Sequence, residues 1–313
     1  MKINTILNEP CQETLCKLPN ESLDLVVTSP PYFNARDYSQ YDNVDSYMVI
    51  MTEVFELVYQ KLKNHKNIVV NVGDIIGQVG KARWSTQKIP LGAYFIVMLE
   101  KLGFTFIDDY IWDKGEPQSK RHLGNPPYPF YQYPVNVYEH ILIFEKNELN
   151  KEKIPCPVCQ KALTVSNSQQ KIGVQSWECK NPECPQKSNS GRGKRFSQRS
   201  VMMEEYKKEE NFIPKDFVQK WRRDIIEISP VIKINSQKDN VLGHTAPYPE
   251  DIVEMAVRYY SGVGDLVYDP FMGSGTTAVV AKKLQRNYLG SEIHKEYVDL
   301  AEERIAKVKG GET

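Results

Sequence analysis

The segment around Asp269 constrains the fold of this chain more than any other. An apolar strand, Leu266–Tyr268, ends in Asp269, and the turn Gly273-Ser274-Gly275 leads into a helix that runs to about Leu284. A second apolar strand then ends at Glu292. A strand, a glycine turn, a helix and a strand in this order predict an α/β fold. The turn also places backbone N–H groups at a helix N-terminus, where a ligand can approach closely.

The same alternation runs from Ile3 to about Lys146 and returns after Trp221. Buried strands are predicted at Leu23–Val27 and Ile68–Val72, and Tyr47–Leu62 has the apolar spacing of a helix. Further elements follow the pattern: helices at about Pro90–Leu102, Pro249–Tyr260 and Lys295–Val308, and strands at Phe104–Trp112, His140–Phe144 and Tyr288–Glu292. We therefore predict a doubly wound α/β domain with a mostly parallel sheet.

Polar and basic sequence interrupts this pattern between residues 147 and 220. The prediction is one domain made of residues 1–146 and 221–313, divided by an inserted module at 147–220. The chain as a whole has 40 Lys and Arg residues against 40 Asp and Glu residues, whereas between residues 180 and 199 the single acid is Glu183. The basic residues of this stretch include Arg192, Lys194, Arg195 and Arg199. Such a local patch can hold phosphates of nucleic acid, the alternative being a solvated loop.

Four of the six cysteines lie in the inserted module as two short-spaced pairs, Cys156 with Cys159 and Cys179 with Cys184. Two such pairs can supply four thiolates at tetrahedral geometry, which predicts a zinc ribbon. The alternative is four unrelated free thiols. Zinc ribbons of this kind resemble those of several DNA-processing proteins, in which they read bases or brace a module, and the sequence leaves both roles open.

The glycine turn alone admits two interpretations. Glu292 is suited to accept hydrogen bonds from both hydroxyls of a ribose, and the spacing of Gly273, Gly275 and Ala278 also fits an NAD-binding fingerprint. A second motif decides between them, because Ser29-Pro30-Pro31-Tyr32 follows the apolar run that begins at Leu23. An NAD enzyme does not account for that motif.

Together the two motifs resemble those of the DNA amino-methyltransferases. Ser29-Pro30-Pro31-Tyr32 looks like the catalytic motif of enzymes that methylate an exocyclic amine of a base, and residues 269–277 look like their S-adenosylmethionine loop. The order of the two motifs along the chain resembles the beta class of the family. The implied cofactor-binding residues are Asp269, Pro270, Phe271, Gly273, Ser274, Gly275, Thr276, Thr277 and Glu292. The inserted module lies where the family usually holds target recognition.

The resemblance also implies a mechanism. The side chain of Ser29 and the carbonyl of Pro30 accept the two amino hydrogens, which localises the nitrogen lone pair and aims it at the methyl group. Pro30 and Pro31 stiffen this loop before the base arrives. Tyr32 stacks on a base rotated out of the duplex, because the target nitrogen cannot be reached inside the stack. Phe271 packs on the adenine of the cofactor.

The family usually carries Ser at position 29 for cytosine and Asp for adenine, so the expected product is N4-methylcytosine in duplex DNA. N6-methylation of adenine is the nearest alternative, and a zinc-ribbon DNA-binding regulator without catalysis is the alternative of another class. The expected setting is restriction-modification in the cytoplasm, with no membrane association. A restriction endonuclease is a candidate partner, and the number of subunits stays open.

Four other segments resemble motifs of the family: residues 69–74, 111–114, 138–142 and 244–250. In the first of them, Asp74 is equally suited to a functional role and to capping a turn. There is also a departure, because Glu9-Pro10 stands where the family often has Gly-Asp. The resemblance therefore does not imply a cofactor contact from that turn.

Overall fold

The computed structural model describes residues 2–33, 41–78, 86–115, 128–129, 136–149, 152–169, 174–186, 193–231 and 248–308 of the chain. The chain forms two compact units, Met1–Glu145 with Ile213–Thr313, and Lys146–Phe212. The elements, in chain order, are β1 (Thr5–Leu7), α1 (Cys11–Lys17), β2 (Leu23–Thr28), α2 (Val44–Lys61), β3 (Leu62–Val72), β4 (Ile75–Gln78), β5 (Thr86–Ile89), α3 (Leu91–Lys101), β6 (Phe104–Asp113), β7 (Tyr138–Lys146), β8 (Thr164–Gln169), β9 (Gln175–Cys179), β10 (Arg195–Ser197), α4 (Gln198–Glu205), α5 (Lys215–Lys220), β11 (Ile225–Glu227), α6 (Glu250–Tyr260), β12 (Leu266–Asp269), α7 (Thr276–Lys283), β13 (Asn287–Ser291) and α8 (Lys295–Ala306).

The larger unit is built on an eight-stranded sheet with the order β1-β13-β12-β2-β3-β7-β6-β11. The pairs β1–β13, β13–β12, β12–β2, β2–β3 and β6–β11 are parallel, and β3–β7 is antiparallel. A mostly parallel sheet is therefore confirmed. In a parallel sheet the carboxyl ends of neighbouring strands meet at one edge, which brings the loops after β2 and β12 together.

Helices cover both faces of this sheet, because the central strands are apolar on both sides. On β2, Leu25 and Val27 pack in one core with residues of α6, α7 and α8. Val26 of the same strand packs in a second core with residues of α1, α2 and α3. The doubly wound arrangement expected from the sequence is thus present. No helix among the described residues is both long and apolar enough to cross a membrane.

The smaller unit contains a three-stranded antiparallel sheet with the order β10-β9-β8. Its core is small and consists of Trp177, Phe196 and three of the four clustered cysteines. A core of this size buries little apolar surface and contributes correspondingly little to the stability of the unit. The unit ends at Phe212, earlier in the chain than the boundary at residue 220 that the sequence suggests.

Candidate active site and cysteine cluster

The loop that begins at Ser29 and the loop that begins at Asp269 leave the same edge of the sheet. Their strands are parallel neighbours, with Leu25 opposite Val267. Thr28, the last residue of β2, donates a hydrogen bond from Oγ1 to Oδ1 of Asp269 at 2.7 Å. The structure therefore joins the two motifs through a hydrogen bond between residues that lie 241 positions apart in the sequence.

Asp269 is almost fully buried, and its carboxylate organises the turn that follows it. Oδ1 also accepts from the backbone N–H of Phe271 at 3.0 Å, and Oδ2 accepts from Oγ1 of Thr277 at 2.6 Å. Burial outweighs these hydrogen bonds and raises the pKa of Asp269 to about 6. The carboxylate thus holds the end of β12, the turn and the first residues of α7 in one arrangement.

Tyr248, in the segment that precedes α6, also contacts Asp269 and Thr277. Its hydroxyl lies 2.6 Å from Oγ1 of Thr277 and 3.5 Å from Oδ2 of Asp269. Burial, reinforced by the charge of Asp269, raises the pKa of Tyr248 well above its ordinary value, so it is a neutral phenol. The preceding residues 244–247 of the family-like segment lie outside the described residues.

The glycine turn approaches its neighbours too closely for larger residues. Gly273 and Gly275 have positive φ angles of 52° and 81°, and a Cβ on Gly275 would lie 2.6 Å from Cβ of Ala301 in α8. Arg304, one turn further along α8, donates from one guanidinium nitrogen to the carbonyl oxygen of Ser274 at 2.6 Å and to its Oγ at 3.1 Å. Helix α8 therefore packs against the turn Gly273–Gly275 and holds it by hydrogen bonds from Arg304.

Glu292 lies just after β13, and its carboxylate is fixed by the backbone. Oε2 accepts from the N–H of Gly273 at 2.9 Å, and Oε1 accepts from the N–H of His294 at 2.9 Å. A carboxylate oxygen can accept more than one hydrogen bond, so both oxygens keep capacity for hydroxyl donors of a ligand. At Glu9-Pro10, which departs from the family pattern, the carboxylate of Glu9 accepts hydrogen bonds from Thr14 and Lys17 of α1.

The loop Ser29–Tyr32 is partly exposed to solvent. Pro30 is buried, whereas Ser29, Pro31 and Tyr32 are half-buried. The hydroxyls of Ser29 and Tyr32 lie 3.4 Å apart, and the Tyr32 hydroxyl donates to Oε2 of Glu139 at 2.7 Å. Burial, followed by the charge of Glu139, raises the pKa of Tyr32 well above its ordinary value. Tyr32 is thus a neutral hydrogen-bond donor.

In the smaller unit, the thiol sulfurs of Cys156, Cys159, Cys179 and Cys184 all lie within 4.8 Å of one another. The sulfurs of Cys159 and Cys179 are 3.7 Å apart, close to the separation of two ligands on a tetrahedral zinc ion. Hydrogen bonds, chiefly from the Asn181 side chain, lower the pKa of Cys159 to about 6, whereas burial raises the pKa of Cys179 to about 12. This donor set fits a structural zinc ion.

The basic residues proposed to meet phosphates differ in their surroundings. Arg195 is exposed, and its Nε lies 3.8 Å from Oε2 of Glu178, which also pairs with Lys180 at 2.6 Å. Lys194 and Arg199 are half-buried, and Arg192 lies outside the described residues. Glu178 precedes the basic run in the sequence and partly neutralises it, which a count along residues 180–199 did not include.

Sequence reasoning did not single out Thr28 or Arg304, and it gave no role to Glu139 within the family-like segment 138–142. Thr28 was recognisable as the last strand residue before Ser29. The contacts of Arg304 and Glu139 depend on pairings between distant segments, and an isolated sequence carries no signal for them.

Residues 23–303 match the family model of the N6 and N4 DNA methylases. Because this match covers most of the sequence, the chain belongs to that DNA methylase family. Among its relatives, the type II methyltransferase M.BglII of Bacillus subtilis is 30% identical over 302 residues, covering 96% of this chain and 68% of M.BglII. The type II beta methyltransferase M.BslI of Bacillus sp. (strain NEB-606) is 33% identical over 297 residues, covering 93% of this chain but 26% of M.BslI.

Solved structures agree with the family assignment. A DNA modification methylase of Thermus thermophilus complexed with S-adenosyl-L-methionine superposes with a TM-score of 0.63 at 25% identity, covering 97% of this chain and 93% of that one. The cytosine-N4-specific PvuII DNA methyltransferase superposes with a TM-score of 0.61 at 18% identity, covering 97% and 87%. This second likeness concerns the fold.

Proposed function

We propose that the chain transfers the methyl group of S-adenosylmethionine to the N4 amine of cytosine in duplex DNA. The observation that carries this proposal is the hydrogen bond between Thr28 and Asp269, which sets the Ser29 loop beside the cofactor-type turn. A methyl donor held by one loop and an amine held by the other then meet at one sheet edge. The arrangement of the motifs along the chain supports placement in the beta class.

When bound, S-adenosylmethionine would supply an electrophilic methyl group on its sulfonium: the N–C bond forms as the S–C bond breaks, S-adenosylhomocysteine leaves, and the methylated amine loses one proton to water. Residues 269–277 and Glu292 would hold the cofactor, with the carboxylate of Glu292 accepting hydrogen bonds from the ribose hydroxyls. Ser29 Oγ and the carbonyl of Pro30 accept the two amino hydrogens of the base. These bonds favour a tetrahedral nitrogen whose lone pair is aimed at the methyl carbon, and the two prolines keep both acceptors in position.

Ser29 supports cytosine as the target base. A serine hydroxyl offers no carboxylate at this position, whereas the adenine enzymes of the family usually have Asp there. The partly exposed ring of Tyr32 lies next to Ser29 and is proposed to stack on an extruded base. Recovery of N6-methyladenine as the product would establish the adenine alternative.

The smaller unit is proposed to hold one structural zinc ion through Cys156, Cys159, Cys179 and Cys184 and to take part in target recognition. The mutual distances of the four sulfurs support the metal site. Arg192, Lys194, Arg195 and Arg199 are proposed to meet DNA phosphates, which contribute affinity without sequence information. The type II methyltransferases among the relatives support a role in restriction-modification, with a restriction endonuclease as candidate partner.

Tritium transfer from labelled S-adenosylmethionine to unmethylated duplex DNA tests the activity. The proposal predicts acid-stable label in the DNA that depends on Ser29. A zinc-ribbon regulator without catalysis would bind the same DNA and transfer no label, so that result would replace the proposal with the regulator.

A further inference from the structure

Three of the family-like segments meet at Glu139, although the proposed chemistry gives none of them a role. Two of these segments contain the last residues of β3 and β6, and the third contains the first residues of β7. The three strands are neighbours in the sheet, in the order β3-β7-β6. Gly73 follows β3, Lys114 follows β6, and Glu139 is the second residue of β7. The sheet therefore places Gly73 and Lys114 around Glu139, which reaches the loop Ser29–Tyr32.

The carboxylate of Glu139 has a partner for each oxygen. Oε2 accepts the Tyr32 hydroxyl at 2.7 Å, and Oε1 pairs with the ammonium of Lys114. Glu139 is only 9% exposed, and a carboxylate buried to that extent is costly unless it is paired. The Lys114 ammonium also lies 5.0 Å from the centre of the Trp112 ring, which restricts its position.

Gly73 makes room for this carboxylate. A Cβ at position 73 would lie 2.9 Å from Cγ of Glu139, closer than atoms of this kind approach. The neighbouring Asp74 has a different task, because its Oδ1 accepts from the N–H of Gly92 in the first turn of α3 at 3.3 Å. Its Oδ2 pairs with Lys88 at 3.3 Å. Asp74 thus caps α3, while Gly73 accommodates Glu139.

The hydrogen bond from Tyr32 to Glu139 determines which hydroxyl is the donor in the contact between Ser29 and Tyr32. A phenol has one hydroxyl proton, and the proton of Tyr32 is donated to Glu139. In the 3.4 Å contact between Ser29 and Tyr32, the donor is therefore Ser29. With its own proton turned towards Tyr32, Ser29 Oγ keeps its lone pairs for another donor.

We propose that Glu139 is a positioning residue for methyl transfer, which orders the hydrogen bonds Ser29 to Tyr32 to Glu139 so that Ser29 Oγ accepts from the target amine. The inference rests on the proposed function of Ser29. Lys114 holds Glu139 in place, and Glu139 acts on the reaction only through the Tyr32 hydroxyl. Without that chain the Ser29 hydroxyl rotates freely, and the amine loses a preoriented acceptor.

Single-turnover methylation rates of Glu139→Gln, Tyr32→Phe and the double variant test the inference, with tritium transfer to duplex DNA as the readout. Tyr32→Phe is expected to lower the rate about tenfold, because it removes one oriented hydrogen bond. Glu139→Gln is expected to have the same effect, because its amide oxygen keeps the Lys114 ammonium as partner and its NH2 group, which cannot accept, then faces Tyr32. The affinity for S-adenosylmethionine should stay unchanged in both variants. The double variant is expected to be no slower than Tyr32→Phe. Losses that multiply in the double variant would overturn the inference, because Glu139 would then act independently of the hydroxyl.

Asp265→Asn is the matched control, because Asp265, like Glu139, pairs with a lysine, Lys66 at 3.0 Å, but at the opposite end of β12. It is expected to lose stability and to keep the wild-type rate. If Glu139→Gln does not fold, Tyr32→Phe decides alone, since it keeps the ring and removes only the hydroxyl, and an unchanged rate would overturn the inference. A wild-type protein that transfers no label would instead contradict the proposed function.

Discussion

Asp269 links the loop that begins at Ser29 to the glycine turn 273–275. Its carboxylate accepts hydrogen bonds from Thr28, Thr277 and the N–H of Phe271, and these donors come from β2, α7 and the turn. The side chain is also nearly inaccessible, and desolvation raises its pKa from the ordinary 3.8 to about 6. A charge that is costly to bury is thus kept at a position where it fixes the geometry of both loops.

The raised pKa predicts a pH-dependent contribution to stability. Because the folded protein binds the Asp269 proton more tightly than the unfolded chain, this contribution is fully present below about pH 4 and is lost as the pH rises through about 6. The free energy of unfolding of the wild type, relative to that of Asp269→Asn, should fall by roughly 2–3 kcal/mol between about pH 4 and pH 7. Urea unfolding of both proteins measures this difference, and a constant difference would contradict the raised pKa.

Tyr32 allows a second test at the same scale. Tyr32→Ala removes the ring proposed to stack on the extruded base, an interaction worth about 1–3 kcal/mol per base. We expect methylation to fall severely, by tenfold or more, while calorimetry finds the affinity for S-adenosylmethionine unchanged. Near-normal turnover would contradict the stacking role of the ring.

Among the secondary-structure elements, those with clear periodicity were predictable. The strand at Leu23, the long helix before β3 and the strand–turn–helix around Gly275 are all present. Residues 62–67 of β3 were not predicted as strand, because they are largely polar and the pairing with β2 is irregular there. β1 is only three residues long and pairs with β13 at the other end of the sequence, so no local signal marks it.

The candidate site was predictable to the same degree and for the same reason. Ser29 follows one apolar strand and Asp269 ends another, and an α/β sheet places such ends at one edge. That β7 runs antiparallel to β3, and so directs Glu139 towards Tyr32, follows from long-range pairing that a single sequence does not encode locally. The roles assigned to the site residues remain predictions.

Helix α8 provides the test at the scale of elements. Arg304 of α8 hydrogen-bonds the backbone and side chain of Ser274, and its removal should loosen the glycine turn. Arg304→Ala is therefore expected to weaken S-adenosylmethionine binding about tenfold in calorimetry, the loss of one or two charged hydrogen bonds. Lys307→Ala, at the residue that directly follows α8 and pairs with exposed Glu303, is the control and should bind normally. Equal affinities for the two variants would show that α8 does not support the turn.

At the scale of the whole molecule, two units with separate cores divide the proposed work. The larger unit has extensive cores on both faces of its sheet and contains every proposed cofactor contact. The core of the smaller unit consists largely of the cysteines proposed to bind zinc. Metal binding should therefore determine the folding of the smaller unit and leave the larger one unaffected.

Cys159→Ser combined with Cys179→Ser tests this division. A structural zinc site contributes on the order of 10 kcal/mol to local folding, so the double variant should lose one bound zinc and unfold the smaller unit. S-adenosylmethionine binding should stay nearly unchanged, whereas site-specific methylation should be abolished. Metal analysis, calorimetry and methylation assays measure these three effects. Full site-specific activity without zinc would remove the metal from the account.

The central claim, transfer of a methyl group to N4 of cytosine, is tested most directly by analysing the nucleosides of the methylated product. DNA from cells that lack methylation of their own and express this chain is digested and separated by liquid chromatography with mass detection, with Ser29→Ala as the matched control. The account predicts N4-methylcytosine in the wild-type sample and a strong reduction in the Ser29→Ala sample. N6-methyladenine without N4-methylcytosine would contradict it.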